Sequence, residues 1–236
     1  MLAETSRRGV EEGAEQHKRT PIGAARVDET DAVIDLLMLR IPAFWMRQVT
    51  REDLRTFVRA AILSPRTAVL VARPEGALIP AGYVFAIFDV RTFWLRFALA
   101  HPTLSAKILY HRVVRAASLR AASRRRQREG QVDPTLPPFA WSPSDPRDAR
   151  ILGLYVRAEH RRKGIAMQLY FELFDVLTRC GCRRVEEYMG PDYPQYAGKF
   201  PEVCGFDLQQ CACTGFKITK DLTAGDLGGE RGVPSI

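Results

Sequence analysis

Apolar residues first recur at helical spacing. With Asp28 or Thr30 as an N-cap, Val33, Leu36, Leu37 and Arg40 fall three or four apart and predict a helix. Thr50 is a second cap, and Asp53 three residues later completes a capping-box pattern. The helix behind it buries Leu54, Phe57, Val58, Ala61 and Ile62. The period then changes. Residues 67–72 (TAVLVA) and 81–88 (AGYVFAIF) are short β-rich runs separated by a Pro- and Gly-containing turn, which predicts an antiparallel hairpin. Residues 20–27 supply a short first strand.

Residues 89–148 stand apart. Residues 91–99 are aromatic and apolar, and Pro102 opens a long, arginine-rich helical stretch to about position 128. A Pro- and Ser-rich loop follows. Residues 149–156 are the next strand. Over 163–180, Ile165, Leu169, Leu173, Val176 and Leu177 mark one apolar helix face, with Gly181 ending the helix. A strand at 185–189, a short helix near 195–203 and a closing hairpin over 208–222 complete the pattern. Residues 1–21 and 223–236 read as disordered tails.

Composition narrows the classes. No apolar run reaches the roughly 18–20 residues that a membrane span needs. The N-terminus lacks the apolar core of a secretory signal, so a cytoplasmic location is expected. The five cysteines are odd in number and their C-x-C spacings do not suit structural zinc, so buried thiols are expected and no metal. The net charge of +8 suits an anionic partner.

One segment carries chemistry. After the strand ending at Val156 comes Arg161-Arg162-Lys163-Gly164-Ile165-Ala166, where the amphipathic helix begins. Unpaired amides at a helix N-terminus attract anions, Gly164 lets a phosphate approach the backbone, and three cations lie beside it. Neither G-x-x-x-x-G-K-[ST] nor G-x-G-x-x-G occurs in the chain.

Leu154, Val156, Arg161, Gly164 and Ala166 fit L-x-V-x-x-x-x-R-x-x-G-x-A, which resembles the acetyl-CoA motif of the GNAT acyltransferase superfamily. The order of elements and the Gly205-Phe206 pair downstream are also similar to that family. The resemblance covers about residues 22–222, apart from the insertion at about 89–148. It implies an α/β (α+β) fold: a mixed, mostly antiparallel central sheet flanked by helices, with a basic helical insertion between the third and fourth strands. It implies an N-acetyltransferase that moves an acetyl group directly from acetyl-CoA to a primary amine. Backbone groups of Leu154, Tyr155 and Val156 would pair with the pantetheine arm, and one N–H near Tyr155 or Val156 would steady the oxyanion. Residues Arg161, Arg162, Lys163, Gly164, Ile165 and Ala166 would hold the pyrophosphate.

The catalytic groups depart from the family. Its usual phenol position is Pro201 and its usual Asn position is Pro194. Tyr196 is the nearest phenol on the same predicted helix, with Tyr193 before it. Glu187, or its neighbour Glu186, is the candidate base, because one of them faces the cleft. Asp89 is a weaker candidate, and His111 and His160 read as surface residues. The other class of function compatible with these departures is a catalytically weak module that binds CoA or an anionic surface. The acceptor is expected to be a small-molecule or peptide amine, with an anionic one suited to the basic insertion. The insertion also suits peripheral membrane contact, with Phe93, Trp94, Leu95 and Phe97 as anchors. Nucleic acid ranks behind both, and no signal sets an oligomeric state.

Overall fold

The computed structural model describes residues 20–40, 49–129, 145, 147–189, 200–211 and 215–223. The strands are β1 (Ile22–Ala24), β2 (Thr67–Ala72), β3 (Gly82–Phe88), β4 (Asp148–Val156), β5 (Arg184–Met189), β6 (Asp207–Cys211) and β7 (Gly215–Asp221). The helices are α1 (Thr30–Arg40), α2 (Arg51–Leu63), α3 (Val90–Ala100), α4 (Pro102–Arg128), α5 (Ile165–Arg179) and α6 (Phe200–Val203). All seven strands join one sheet in the order β1-β2-β3-β4-β5-β7-β6. Every neighbouring pair is antiparallel except β4 with β5. Strands from both sides of the insertion therefore share one sheet, a mixed α/β arrangement.

Each face of the sheet covers its own core. On one face, α5 sets Ile165, Leu169, Leu173, Phe174 and Leu177 against Leu70, Val84, Ile151 and Val185. On the other, α1, α2 and α3 pack on Val69, Val71, Tyr83, Phe85 and Ile87. The apolar periods locate these helices well. Thr50 caps α2 as expected: its side chain accepts from the Asp53 amide, and Asp53 accepts from the Thr50 amide. The Cys182 amide donates to Leu177 O (3.0 Å) and the Gly181 amide to Thr178 O (2.9 Å), with Gly181 at φ 76°. This paired closure ends α5 where the sequence put its glycine.

The start of α1 differs from expectation. A 3-10 turn, Val27–Glu29, precedes it, and neither Asp28 nor Thr30 is a free-standing cap. Glu29 accepts from the Arg26 amide at 2.7 Å and forms an ion pair with Arg73 at 2.6 Å, tying the turn to the end of β2. The Arg73 hydrogen bond is the main reason the Glu29 carboxyl titrates below its ordinary range.

The aromatic part of the insertion is core rather than appendage. Phe93 and Phe97 of α3 are buried; Phe57 lies 6.1 and 5.6 Å from them and stacks on Trp94 at 5.8 Å. Burying two phenylalanines contributes roughly 3–6 kcal/mol. Phe93 and Phe97 therefore cannot be membrane anchors; of the four residues expected in that role, Leu95 is exposed. Lys107 at the start of α4 pairs with Asp53 at the start of α2, which pins the insertion to the body.

Candidate active site

Local irregularity in β4 shapes the site. Its register with β3 runs Phe85 with Gly153 and then Ala86 with Ile151, so Leu152 is an extra residue. Such a bulge bends its strand and interrupts pairing. Parallel pairing of β4 with β5 ends at Ile151 with Glu187, whereas β5 continues to Met189 against β7. Residues 152–156 of β4 thus have β3 on one side and no β5 partner on the other. An open strand edge of this kind can hydrogen-bond an extended ligand. Gly82 lets β3 follow β4 closely: a Cβ there would lie 2.7 Å from the Tyr155 carbonyl oxygen. Beyond the strand, the Arg157 amide donates to Ala81 O at 2.8 Å.

The loop after β4 ends this opening. A 3-10 turn, Ala158–His160, leads to Arg161, Arg162 and Lys163, all exposed. Arg162 and Gly164 both take left-handed backbone, at φ 60° and 71°. Gly164 is the N-cap of α5; its carbonyl accepts from the Gln168 amide at 3.0 Å, and it has no side chain to cap the first-turn amides. Those amides and the positive end of the helix dipole face the loop. A Cβ on Gly164 would meet only Gln168 Nε2, at 3.8 Å. The space beside the backbone is therefore open, which fits a phosphate group.

The expected cofactor residues separate into groups. Leu154 and Tyr155 are half-buried and Val156 is buried on the open stretch of β4. Arg161 is anchored: its Nε donates to Val156 O at 3.2 Å, and its guanidinium sits 5.6 Å from the centre of the Tyr155 ring. Arg162 and Lys163 project from the loop. The Ile165 side chain points into the core, so only its backbone belongs to the loop, and Ala166 is half-buried.

The candidate carboxylates lie on opposite faces. Glu187 shares the face of Ile151, toward α5, is 1% exposed, and accepts a hydrogen bond from the Tyr170 hydroxyl. It is sealed beneath the sheet. Glu186 faces the α1 side, where Arg150 binds it at 3.0 Å and Lys217 at 2.5 Å. The Arg150 guanidinium also lies 4.6 Å from the centre of the Tyr188 ring. Asp148 is buried on the same face, and burial pushes its carboxyl above the ordinary aspartate range. Sequence reading missed Arg150 and Lys217. Their signal was the charged pair Asp148 and Arg150 alternating with Ala149 and Ile151, which puts charge on one buried face.

Asp89 is structural. At φ 55° it caps α3 by accepting from the Thr92 amide at 3.2 Å, and Arg66 pairs with it at 3.7 Å. His160 is half-buried at the loop entrance. Tyr193, Pro194 and Tyr196 lie outside the described residues. Pro201 lies within α6. Past it, Gly205 turns the chain at φ 71°, and Phe206 packs at 5.3 Å from Tyr170 and 5.4 Å from Phe174. No metal-binding cluster occurs among the described residues. Cys182 and Cys204 are buried thiols, each pushed up to about 12 chiefly by burial. No described helix is long and apolar enough to cross a membrane.

Residues 109–206 match the model of the Acetyltransferase (GNAT) family. That span contains the open stretch of β4, the loop and α5. Solved structures share the fold. One crystal structure of an acetyltransferase is 15% identical with a TM-score of 0.53, covering 86% of this chain and 100% of its own. The yncA protein of Salmonella typhimurium, solved with acetyl-CoA, is 15% identical with a TM-score of 0.51, covering 92% and 98%. A chimera of the spermidine N-acetyltransferase SpeG from Vibrio cholerae and hSSAT is 11% identical with a TM-score of 0.50, covering 86% and 95%. No curated protein matches the chain. The strand order and the split between β4 and β5 are those of a fold shared with these acetyltransferases, and residues 109–206 are similar to the GNAT acetyltransferase family.

Proposed function

We propose that the protein transfers an acetyl group from acetyl-CoA to a primary amine by direct attack within a ternary complex. The observation that carries this is the alignment of two features on one strand. The uncapped N-terminus of α5 offers amides to a diphosphate, and the unpaired edge of residues 152–156 leads from there to the point where β4 and β5 part. An acyl-CoA bound along this line brings its thioester to that point. The amine nitrogen attacks the thioester carbon, a β4 amide steadies the oxyanion, the C–S bond breaks, and the thiolate takes up a proton.

Glu186 is neutralised by two cations, and Glu187 is closed off under the sheet, which argues against either as a direct base. Water carries the amine's proton away. Tyr196 is the candidate donor to the thiolate, by its nearness in sequence to position 201. Thiol release from acetyl-CoA, measured across a panel of polyamines, amino acids and peptides, tests the transfer. Tyr196→Phe should lower kcat by about 10²-fold or more with little change in KM. Glu187→Gln should leave kcat within a few-fold; its loss, with acetyl-CoA binding retained, would restore Glu187 as the base.

A second reading is a module that binds acyl-CoA without efficient transfer. Pro201 within α6 favours it, because a proline stands where the family places a phenol. Calorimetric binding of acetyl-CoA with no transfer to any amine in the panel would decide for the module.

A further inference from the structure

The chain's positive charge is concentrated in the insertion. Residues 90–129 hold ten basic residues and one acid, Glu129, a net charge of +9. The whole chain is +8, so the other 196 residues sum to −1. Seven arginines fall between positions 112 and 128 of α4. At about 100° per residue these positions encircle the helix, with no gap wider than about 80°.

Among the described residues, this helix meets the body through its first two turns. It has 27 residues, a length of about 40 Å. Leu104 is buried and Ile108 packs on the core. Among the described residues, α3 is the only element with which α4 makes extensive contact. Leu109, Tyr110, Val113 and Val114 are exposed, as are Arg125 and Arg128 near the end. Arg125 pairs with Glu129 at 2.8 Å, the single acid of the segment.

We propose that α4 is a nucleic-acid-binding arm that engages the polyphosphate backbone. A membrane-surface helix needs an apolar stripe opposite a basic one. Here arginine positions run all round the second half of the helix, and two of the expected apolar anchors, Phe93 and Phe97, are committed to the core. A helix charged all round suits a site with phosphates on both sides. The major groove of a duplex, about 12 Å wide, admits a helix about 10–12 Å across between two phosphate walls. A strand of RNA folded around the helix offers the same chemistry. This arm is independent of acyl transfer.

The test uses the full chain and two probes, a DNA duplex of about 24 base pairs and an RNA of about 24 nucleotides, each about twice what a 40 Å helix spans. Affinity is measured by fluorescence anisotropy across a salt series. With five to seven phosphates neutralised, log K should fall against log salt with a slope of roughly −4 to −6 on the duplex. Binding to either probe supports the arm, and the stronger identifies the nucleic acid. The variant Arg124→Gln, Arg125→Gln, Arg126→Gln, Arg128→Gln should shallow the slope by about 3–4 and weaken low-salt binding at least about 100-fold. Circular dichroism should show its helicity unchanged, since glutamine and arginine have similar helix propensity. A variant of equal charge change outside α4, with Arg59, Arg179, Arg183 and Arg184 each replaced by Gln, should keep binding. The proposal is overturned if neither probe binds, if both variants weaken equally, or if phosphatidylserine vesicles retain the protein at salt that releases both nucleic acids.

Discussion

Replacing Gly164 with aspartate puts a carboxylate where the loop is expected to receive a diphosphate. The backbone there is left-handed, at φ 71°, which costs a residue with a Cβ roughly 1–2 kcal/mol, and aspartate tolerates it better than most. The new Cβ meets only Gln168 Nε2 at 3.8 Å, an ordinary contact. A carboxylate at a helix N-terminus returns about 0.3–1 kcal/mol. The net loss of about 1 kcal/mol lowers Tm by only about 2–4 °C. Binding should respond far more. Like charges about 4 Å apart repel by about 4 kcal/mol at an effective dielectric of 20. Screening in this exposed loop reduces that to about 2–4 kcal/mol, or roughly 30- to 700-fold in affinity. Gly181→Asp is the matched control: it has φ 76°, open space around its Cβ, and a place at the other end of the same helix. Calorimetric titration with acetyl-CoA should give near-native affinity for Gly181→Asp and a large loss for Gly164→Asp. Equal affinities in the two variants would refute the anion site.

Other consequences follow from the buried charges. Burial raises the Asp148 carboxyl above its unfolded value, so the folded state binds the extra proton and stability falls as pH rises through the folded value. Asp148→Asn should therefore raise Tm at neutral pH, with the gain vanishing below the ordinary aspartate range. Glu29 has the opposite sign: its hydrogen bond to Arg73 lowers the carboxyl, so its contribution is present above the ordinary glutamate range and is lost as pH falls through the folded value. Glu29→Gln should lower Tm at neutral pH and converge with the parent in acid. Tyr170→Phe removes a donor from the buried Glu187 carboxylate and should cost about 1–3 kcal/mol, or about 2–12 °C in Tm; an unchanged Tm would contradict that bond. In native-state thiol labelling, exposed Cys180 should react well before buried Cys182 and Cys204, whose thiols stay protonated up to about 12.

The shape of the loop from Arg161 to Ala166 was legible because its signals are local. A glycine in left-handed backbone, a run of cations and the onset of an apolar helix period occupy six consecutive positions. The Thr50 cap and the Gly181 terminator were legible for the same reason. The bulge at Leu152 was not read: Gly153 beside it is a local hint, but the bulge is defined by the register of β4 against β3, a tertiary pairing. Alternation placed Glu186 and Glu187 on opposite faces but could not say which faced α5, since both faces of β5 are covered. Phe93 and Phe97 read equally well as surface anchors or core; only packing against Phe57 and Phe85 separates the two. The start of α1 was misread because Glu29, not Asp28 or Thr30, accepts the Arg26 amide.

The most direct test of the central claim is a crystal structure of the full chain with acetyl-CoA. The diphosphate should lie within hydrogen-bond distance of the amides of residues 162–166, with the pantetheine arm paired to residues 152–156 in the gap between β4 and β5. Acetyl-CoA bound elsewhere on the chain, with that loop and gap empty, would contradict it.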